Sequence, residues 1–162
     1  MTSILTIGGY GFSEEKFLKS LKENGVESLI DIRQRRGMRG SKYSFLNSSK
    51  LQYILKKNNI SYIYEKNLSP STRTRDLQKS LDEKLGVKKS LRTDLSREFK
   101  DSFYIDLRDN FSISKFERDI SRFRKIAFFC VECFPQACHR SLVAEYVAPK
   151  LSPGNRVEHL TP

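Results

Sequence analysis

Short apolar runs alternate with amphipathic stretches along the whole chain. Ser3 to Ile7 is an apolar run closed by Gly8-Gly9, the pattern of a buried strand. Ser13 then stands as N-cap of a helix with Phe17, Leu18 and Leu21 on its apolar face. Glu14 and Glu15 fill its first turn, where the helix dipole favours carboxylates, and Gly25 is the expected stop. Glu27 to Ile32 predicts a second strand. Asn47 or Ser48 opens a helix through Leu51, Ile54 and Leu55 that ends at Asn58-Asn59. Ile60 to Tyr64 alternates as a third strand.

Beyond that point the pattern weakens. Pro70 to Arg75 reads as a loop, and Asp76 to Leu85 as a helix stopped by Gly86. Lys88 to Phe111 is highly charged, with room for one more helix. Regularity returns when Ser112 or Ser114 opens a helix holding Phe116, Ile120 and Phe123. Lys125 to Cys130 is a strand and Cys138 to Ala148 a helix. Arg156 to Leu160 is a last strand, after a turn marked by Pro149, Pro153 and Gly154.

Repeated strand–helix units with short links predict a three-layer α/β fold: a mostly parallel central sheet with helices on both faces. The 162 residues read as a single domain, residues 1–162, with 66–111 a less regular excursion. Right-handed crossovers bring the loop after every strand to one edge. That edge collects Gly8-Gly-Tyr-Gly11, the loops after Ile32 and Tyr64, and the turn Cys130–Arg140. No internal repeat or low-complexity segment interrupts the chain.

Charge gives the first indication of a partner. Thirty Lys and Arg against nineteen Asp and Glu leave a formal net charge of +11, and the pI is near 9.7. Such an excess fits an anionic partner, nucleic acid above all. Three cysteines, odd in number and clustered, argue against a secreted disulfide scaffold and for a reducing cytoplasm. No stretch approaches the roughly 20 apolar residues that span a bilayer, and the N-terminus lacks a basic and apolar leader. A soluble cytoplasmic protein without membrane contact is expected, its oligomeric state open.

The excess is unevenly spread. Between Ile32 and Tyr64 lie Arg33, Arg35, Arg36, Arg39, Lys42, Lys50, Lys56 and Lys57, with no Asp or Glu. Gly37, Gly40 and Ser41 make its first part a flexible loop. Tyr43, Phe45, Tyr53, Tyr62 and Tyr64 are interleaved. Cations for phosphates beside aromatic faces for bases is the composition of a nucleic-acid groove. Tyr53, Tyr62 and Tyr64 are expected to be half core, and Lys50, Lys56 and Lys57 form a solvated helix face. Arg73 and Arg75 add to the same edge. Gly8-Gly-Tyr-Gly11 lacks the spacing of a dinucleotide or P-loop motif, so its glycines are expected mainly to let the backbone turn.

Three chemistries compete for Cys130-Val-Glu-Cys-Phe-Pro-Gln-Ala-Cys-His-Arg140. Cys130-x-x-Cys133 followed by Cys138-His139 counts four metal ligands, but adjacent Cys138 and His139 side chains are expected to diverge. No metal or other cofactor is assigned. Cys138, near a helix N-terminus beside His139 and Arg140, is a candidate low-pKa nucleophile. The third reading is recognition, which the neighbouring basic loop favours. Here Cys130 packs as a small apolar residue, and Glu132, His139 and Arg140 line a pocket floor.

Thr6-Ile-Gly-Gly9, Leu29-Ile-Asp31-Ile-Arg33, Cys130-x-Glu132 with Cys138-His139-Arg140, and Val157-Glu-His159-Leu together resemble the DUF488 family. The resemblance implies a small α/β fold; that family is mostly uncharacterised, so it implies no activity. It covers the beginning and end of the chain. In the middle, Asn67 to Arg75 stands where a Gly-rich segment often follows the third strand in such proteins. Asp31-Ile-Arg33 is also similar to the strand end of rhodanese-like domains, but their glycine-framed cysteine loop is missing, and their activity is not carried over.

The expected function is nucleic-acid binding, DNA somewhat before RNA, in a cleft at the carboxyl ends of the strands. Arg33, Arg35, Arg36, Arg39 and Lys42 hold the backbone. Tyr10, Phe12, Tyr43 or Phe45 stack on an unpaired or extruded base. Gly9, Asp31, Cys130, Glu132, His139 and Arg140 complete the pocket. The alternative is an enzyme acting on a nucleotide or other phosphorylated compound through Cys138 or Glu132.

Overall fold

The computed structural model describes residues 1–162. Five strands form one sheet: β1 (Ser3–Gly8), β2 (Ser28–Asp31), β3 (Ser61–Tyr64), β4 (Lys125–Cys130) and β5 (Val157–Leu160). Their order is β3-β2-β4-β1-β5, and every pairing is parallel. Six helices cover it: α1 (Glu14–Glu23), α2 (Ser48–Lys57), α3 (Thr72–Leu85), α4 (Arg97–Asn110), α5 (Ile113–Ile120) and α6 (His139–Leu151). The expected three-layer α/β architecture is what the chain forms.

Strand alternation divides the core in two. Leu5, Ile7, Leu29, Ala127 and Phe129 face Phe17, Leu21, Leu51, Ile54 and Leu55 of α1 and α2. Ile4, Ile30, Ile126, Phe128 and Cys130 face the other way. They meet Phe99, Phe103 and Leu107 of α4, Phe116 and Ile120 of α5, and Val143, Ala144 and Val147 of α6. The centre of the sheet is therefore covered on both faces, which is why β1 and β4 read as continuous apolar runs. Ser13 caps α1 through Lys16 N as its position predicts, and Gly86 closes α3 at φ +65°.

Residues 66–111 are not an excursion. Helix α3 begins at Thr72, because Ser71 caps it through Thr74 N, so Arg73 and Arg75 lie in its first turn rather than in a loop. Helix α4 is capped by Ser96 and supplies Phe99, Phe103 and Leu107 to the core, after Leu95 just before it. That spacing of four is helical; the dense charges on the exposed positions obscured it. Thr74 Oγ1 donates to Asp106 Oδ2 (2.7 Å), tying α3 to α4.

The basic loop after β2 hangs from a buried ion pair. Arg33 Nε and Nη2 donate to the two oxygens of Asp31 at 2.9 and 2.8 Å, and Nη1 donates to the Leu46 carbonyl at 2.9 Å. Tyr62 completes the carboxylate at 2.7 Å, and the guanidinium lies over Phe129. Arg33 is 3 % exposed and Asp31 is wholly buried. All five hydrogen-bonding groups of this pair serve the fold, so Arg33 is not a phosphate ligand and Asp31 not a pocket residue. Arg33→Met should cost about 3–5 kcal/mol by leaving the Asp31 charge buried without its partner, against roughly 0.5 kcal/mol or less for exposed Arg39→Ala. Urea unfolding of the two variants reads the difference; equal midpoints would contradict this assignment.

Candidate functional site

Because all strands run parallel, the segments after β1, β2 and β4 meet at one edge. Two buried arginines shape it. Arg33 fastens the loop after β2, as above. Arg140, wholly buried in the first turn of α6, reaches back to the turn after β4: Nη1 donates to the Glu132 carbonyl and Nη2 to the Cys133 carbonyl (2.9 Å). Arg140 therefore holds the turn and does not line a pocket. The strand β1 comes close beneath it: a Cβ at Gly8 would collide with the Glu132 carbonyl oxygen, and one at Gly9 with Leu46. The Gly9 and Tyr10 amides donate to the Val131 carbonyl and the Gly11 amide to Tyr43 Oη. These amides are engaged within the protein; Gly11, at φ +89°, serves the expected turn, while Gly8 and Gly9 serve close approach, which the sequence did not indicate.

Above this frame the surface is aromatic and basic. The half-exposed rings of Tyr10 and Tyr43 have centroids 5.0 Å apart. Arg35, Arg39 and Lys42 are exposed, and none has a carboxylate within 4.0 Å. Arg36 is partly committed to the fold: it donates to Ser48 Oγ (3.0 Å) and lies 3.9 Å from the centroid of the Tyr64 ring. Phe12 and Phe45, proposed from sequence as stacking residues, are 5 % and 4 % exposed and pack around Phe17. Their apolar rings lacked any polar tip to hold them at the surface, and the core took them.

Glu132 forms the floor. Its Oε1 accepts from Lys89 Nζ at 3.1 Å and lies 3.7 Å from Arg92 Nη2; its Oε2 lies 3.2 Å from Cys130 Sγ. Burial would raise this carboxyl, but the Lys89 ammonium and the His139 ring bring it down to about 2. Burial in turn raises the Tyr10 phenol, while Glu132 raises the Lys89 ammonium. Sequence reasoning missed Lys89 and Arg92. They lie between α3 and α4, and nothing local marks a lysine that will find a buried carboxylate far along the chain.

Behind Glu132 lies a second group of side chains. The sulfurs of Cys130 and Cys138 and a ring nitrogen of His139 all lie within 4.8 Å of one another. The expectation that Cys138 and His139 diverge does not hold. Cys138 is the N-cap of α6 in extended conformation, its sulfur does not cap the helix, and His139 is the first helical residue. The change of backbone direction between them aims both side chains at Cys130. His139 Nε2 donates to the Ile32 carbonyl at 3.0 Å, since a carbonyl only accepts, and Nδ1 faces Cys130 Sγ at 3.8 Å. The His139 ring packs edge-on against Phe103. Contact with Cys138 and burial push the Cys130 thiol well up. For Cys138 burial acts upward too, but hydrogen bonds from Cys130 and His139 outweigh it and bring the thiol down.

Cys130 and Cys138 are 4 % and 1 % exposed, which withholds Cys138 from an external substrate. Cys133 is separate and partly exposed, beside Gly11. A cavity of about 400 Å³ lies elsewhere, on the outer side of α6, between Lys100, Tyr104, Ser141, Glu145 and His159. No helix is long and apolar enough to cross a membrane.

Residues 13–147 match the family described as domain of unknown function DUF488, and the chain belongs to it. The match spans α1 to α6 and includes the basic loop, Lys89, Arg92 and the whole Cys130–Arg140 turn. No curated protein and no solved structure matches the chain.

The burial pattern predicts the thiol chemistry of the reduced protein. An aromatic disulfide reagent should modify one thiol quickly, lost in Cys133→Ser, and the other two only on unfolding. Rapid modification of Cys138 in the folded chain, read by peptide mass, would contradict the buried arrangement.

Proposed function

We propose that this chain binds nucleic acid, DNA before RNA, across the carboxyl edge of its sheet and holds one unpaired or extruded base there. The observation that carries the reading is the state of Arg35, Arg39 and Lys42. They are exposed and without acidic partners, on a loop fastened by a buried ion pair, beside a half-exposed tyrosine pair. Cations left unneutralised on a fixed loop offer their full charge to phosphates, and releasing condensed counterions drives the association.

Each part has a distinct task. Arg35, Arg39 and Lys42 take the backbone. Arg36, already placed over Tyr64, contributes charge without moving. Tyr10 and Tyr43 offer ring faces to a base, a contact that tolerates any sequence. Glu132, held ionised, is a fixed acceptor for a base amino group. Lys89 covers Oε1 but is itself 60 % exposed, so it can pass to a phosphate when a base arrives. Arg73 and Arg75, in the first turn of α3, add to the positive charge available to the backbone.

Fluorescence anisotropy with a labelled single strand and its duplex, across a salt series, tests the proposal. Replacing Arg35, Arg39 and Lys42 together by Ala should flatten the plot of log affinity against log salt by about 2, near 0.7 for each lost contact. Tyr43→Ala should weaken single-strand binding by about 1–3 kcal/mol and leave that slope unchanged. Binding that ignores salt, or a triple variant that binds as wild type, would sink the proposal.

A further inference from the structure

We infer that Cys130, Cys138 and His139 form a binding site for a zinc-class divalent metal ion, beside the Glu132 carboxylate. The donor set is the first argument: two thiolates and an imidazole select borderline-soft ions over magnesium or calcium. Distance is the second. Around tetrahedral zinc, bonds of about 2.3 Å to sulfur and 2.0–2.1 Å to nitrogen separate neighbouring donors by roughly 3.4–3.8 Å. Cys130 Sγ and His139 Nδ1 stand 3.8 Å apart, and all three donors lie within 4.8 Å. Small side-chain rotations are enough to close the site.

The third argument is how the histidine is held. Its Nε2–H is donated to the Ile32 carbonyl, which leaves the Nδ1 lone pair facing the sulfurs. A ligating histidine is commonly oriented by such a bond from its other nitrogen. The edge-on contact with Phe103 fixes the ring plane as well. Cys138 adds a separate sign. At an N-cap a short oxygen side chain normally satisfies a backbone N–H; here the sulfur caps nothing and is turned towards Cys130 and His139.

Charge balance allows the ion to be buried. Two thiolates and the Glu132 carboxylate carry three negative charges against two on the metal. Lys89 and Arg92 stand at Glu132, and the wholly buried guanidinium of Arg140 has no carboxylate partner. Glu132 divides its oxygens: Oε2 is on the side of Cys130, and Oε1 on that of Lys89 and the cleft. Both sulfurs bind as thiolates, so uptake of the metal releases to solvent whatever protons the donors still carry, with no redox change. The site shares only the neighbouring Glu132 carboxylate with the proposed nucleic-acid surface, and its three donors stand without that surface.

Cobalt(II) alone, titrated into the reduced, chelator-stripped full chain, is the test. One equivalent should give the visible bands and thiolate-to-metal charge transfer of a tetrahedral site, and one equivalent of zinc should abolish them. Cys133→Ser should titrate as wild type; Cys130→Ser and Cys138→Ser should lose charge-transfer intensity and weaken binding by at least about tenfold. X-ray absorption on the zinc-loaded wild type needs no variant to fold, and should count two sulfurs. No charge transfer, a count of zero or three sulfurs, or loss of the signal in Cys133→Ser would each overturn the inference.

Discussion

The carboxyl edge of this protein depends on the guanidinium of Arg140. It is wholly buried, and it closes the turn between β4 and α6 by donating to the Glu132 and Cys133 carbonyls. Burying a guanidinium without a carboxylate is costly unless its donors are bonded, and its Nε has no partner here. What that cost secures is position. With the turn closed, Cys130 at the end of β4, Glu132 in the turn, and Cys138 and His139 at the start of α6 occupy one small volume. Gly8 is part of the same constraint, since any side chain there would strike the Glu132 carbonyl.

A second buried arginine does comparable work one strand away. Arg33, paired with Asp31 and bonded to the Leu46 carbonyl, fixes both ends of the basic loop. The arginines of this chain thus sort into two kinds. Arg33, Arg92 and Arg140 spend their donors on the protein's own carbonyls and carboxylates; Arg35 and Arg39 spend theirs on solvent. The inner set is a frame that gives the outer set a fixed place. Glu132 belongs to both sides, with one oxygen towards the thiols and the other under Lys89.

Much of this was legible along the chain. Strand runs of period two and helical runs of period 3.6 are local properties, so β1, β4, α1, α2 and α5 lie within a few residues of where their patterns place them. The parallel topology followed from alternation, and with it the convergence of the three segments that build the edge. Residues 66–111 were harder for an equally local reason. Helix α4 presents a narrow apolar line, Leu95, Phe99, Phe103 and Leu107, through a stretch dominated by charge. A longer window on the spacing of four would have found it.

The site was less legible, because its roles depend on partners far away in sequence. Nothing local distinguishes Arg33 from Arg35, or Phe45 from Tyr43; neighbours on β3, β4 and α1 decide which are buried. Lys89 acquires meaning only from Glu132. The cysteine segment shows the division most plainly. Residue type and order by themselves determined that thiols, an imidazole, a carboxylate and a guanidinium would sit at the end of β4 and the start of α6. Whether adjacent Cys138 and His139 would converge on Cys130 was decided by the tertiary structure. That depends on the extended backbone at Cys138, the pull of Arg140 on the turn and the Ile32 carbonyl that holds His139, and none of these is a property of spacing.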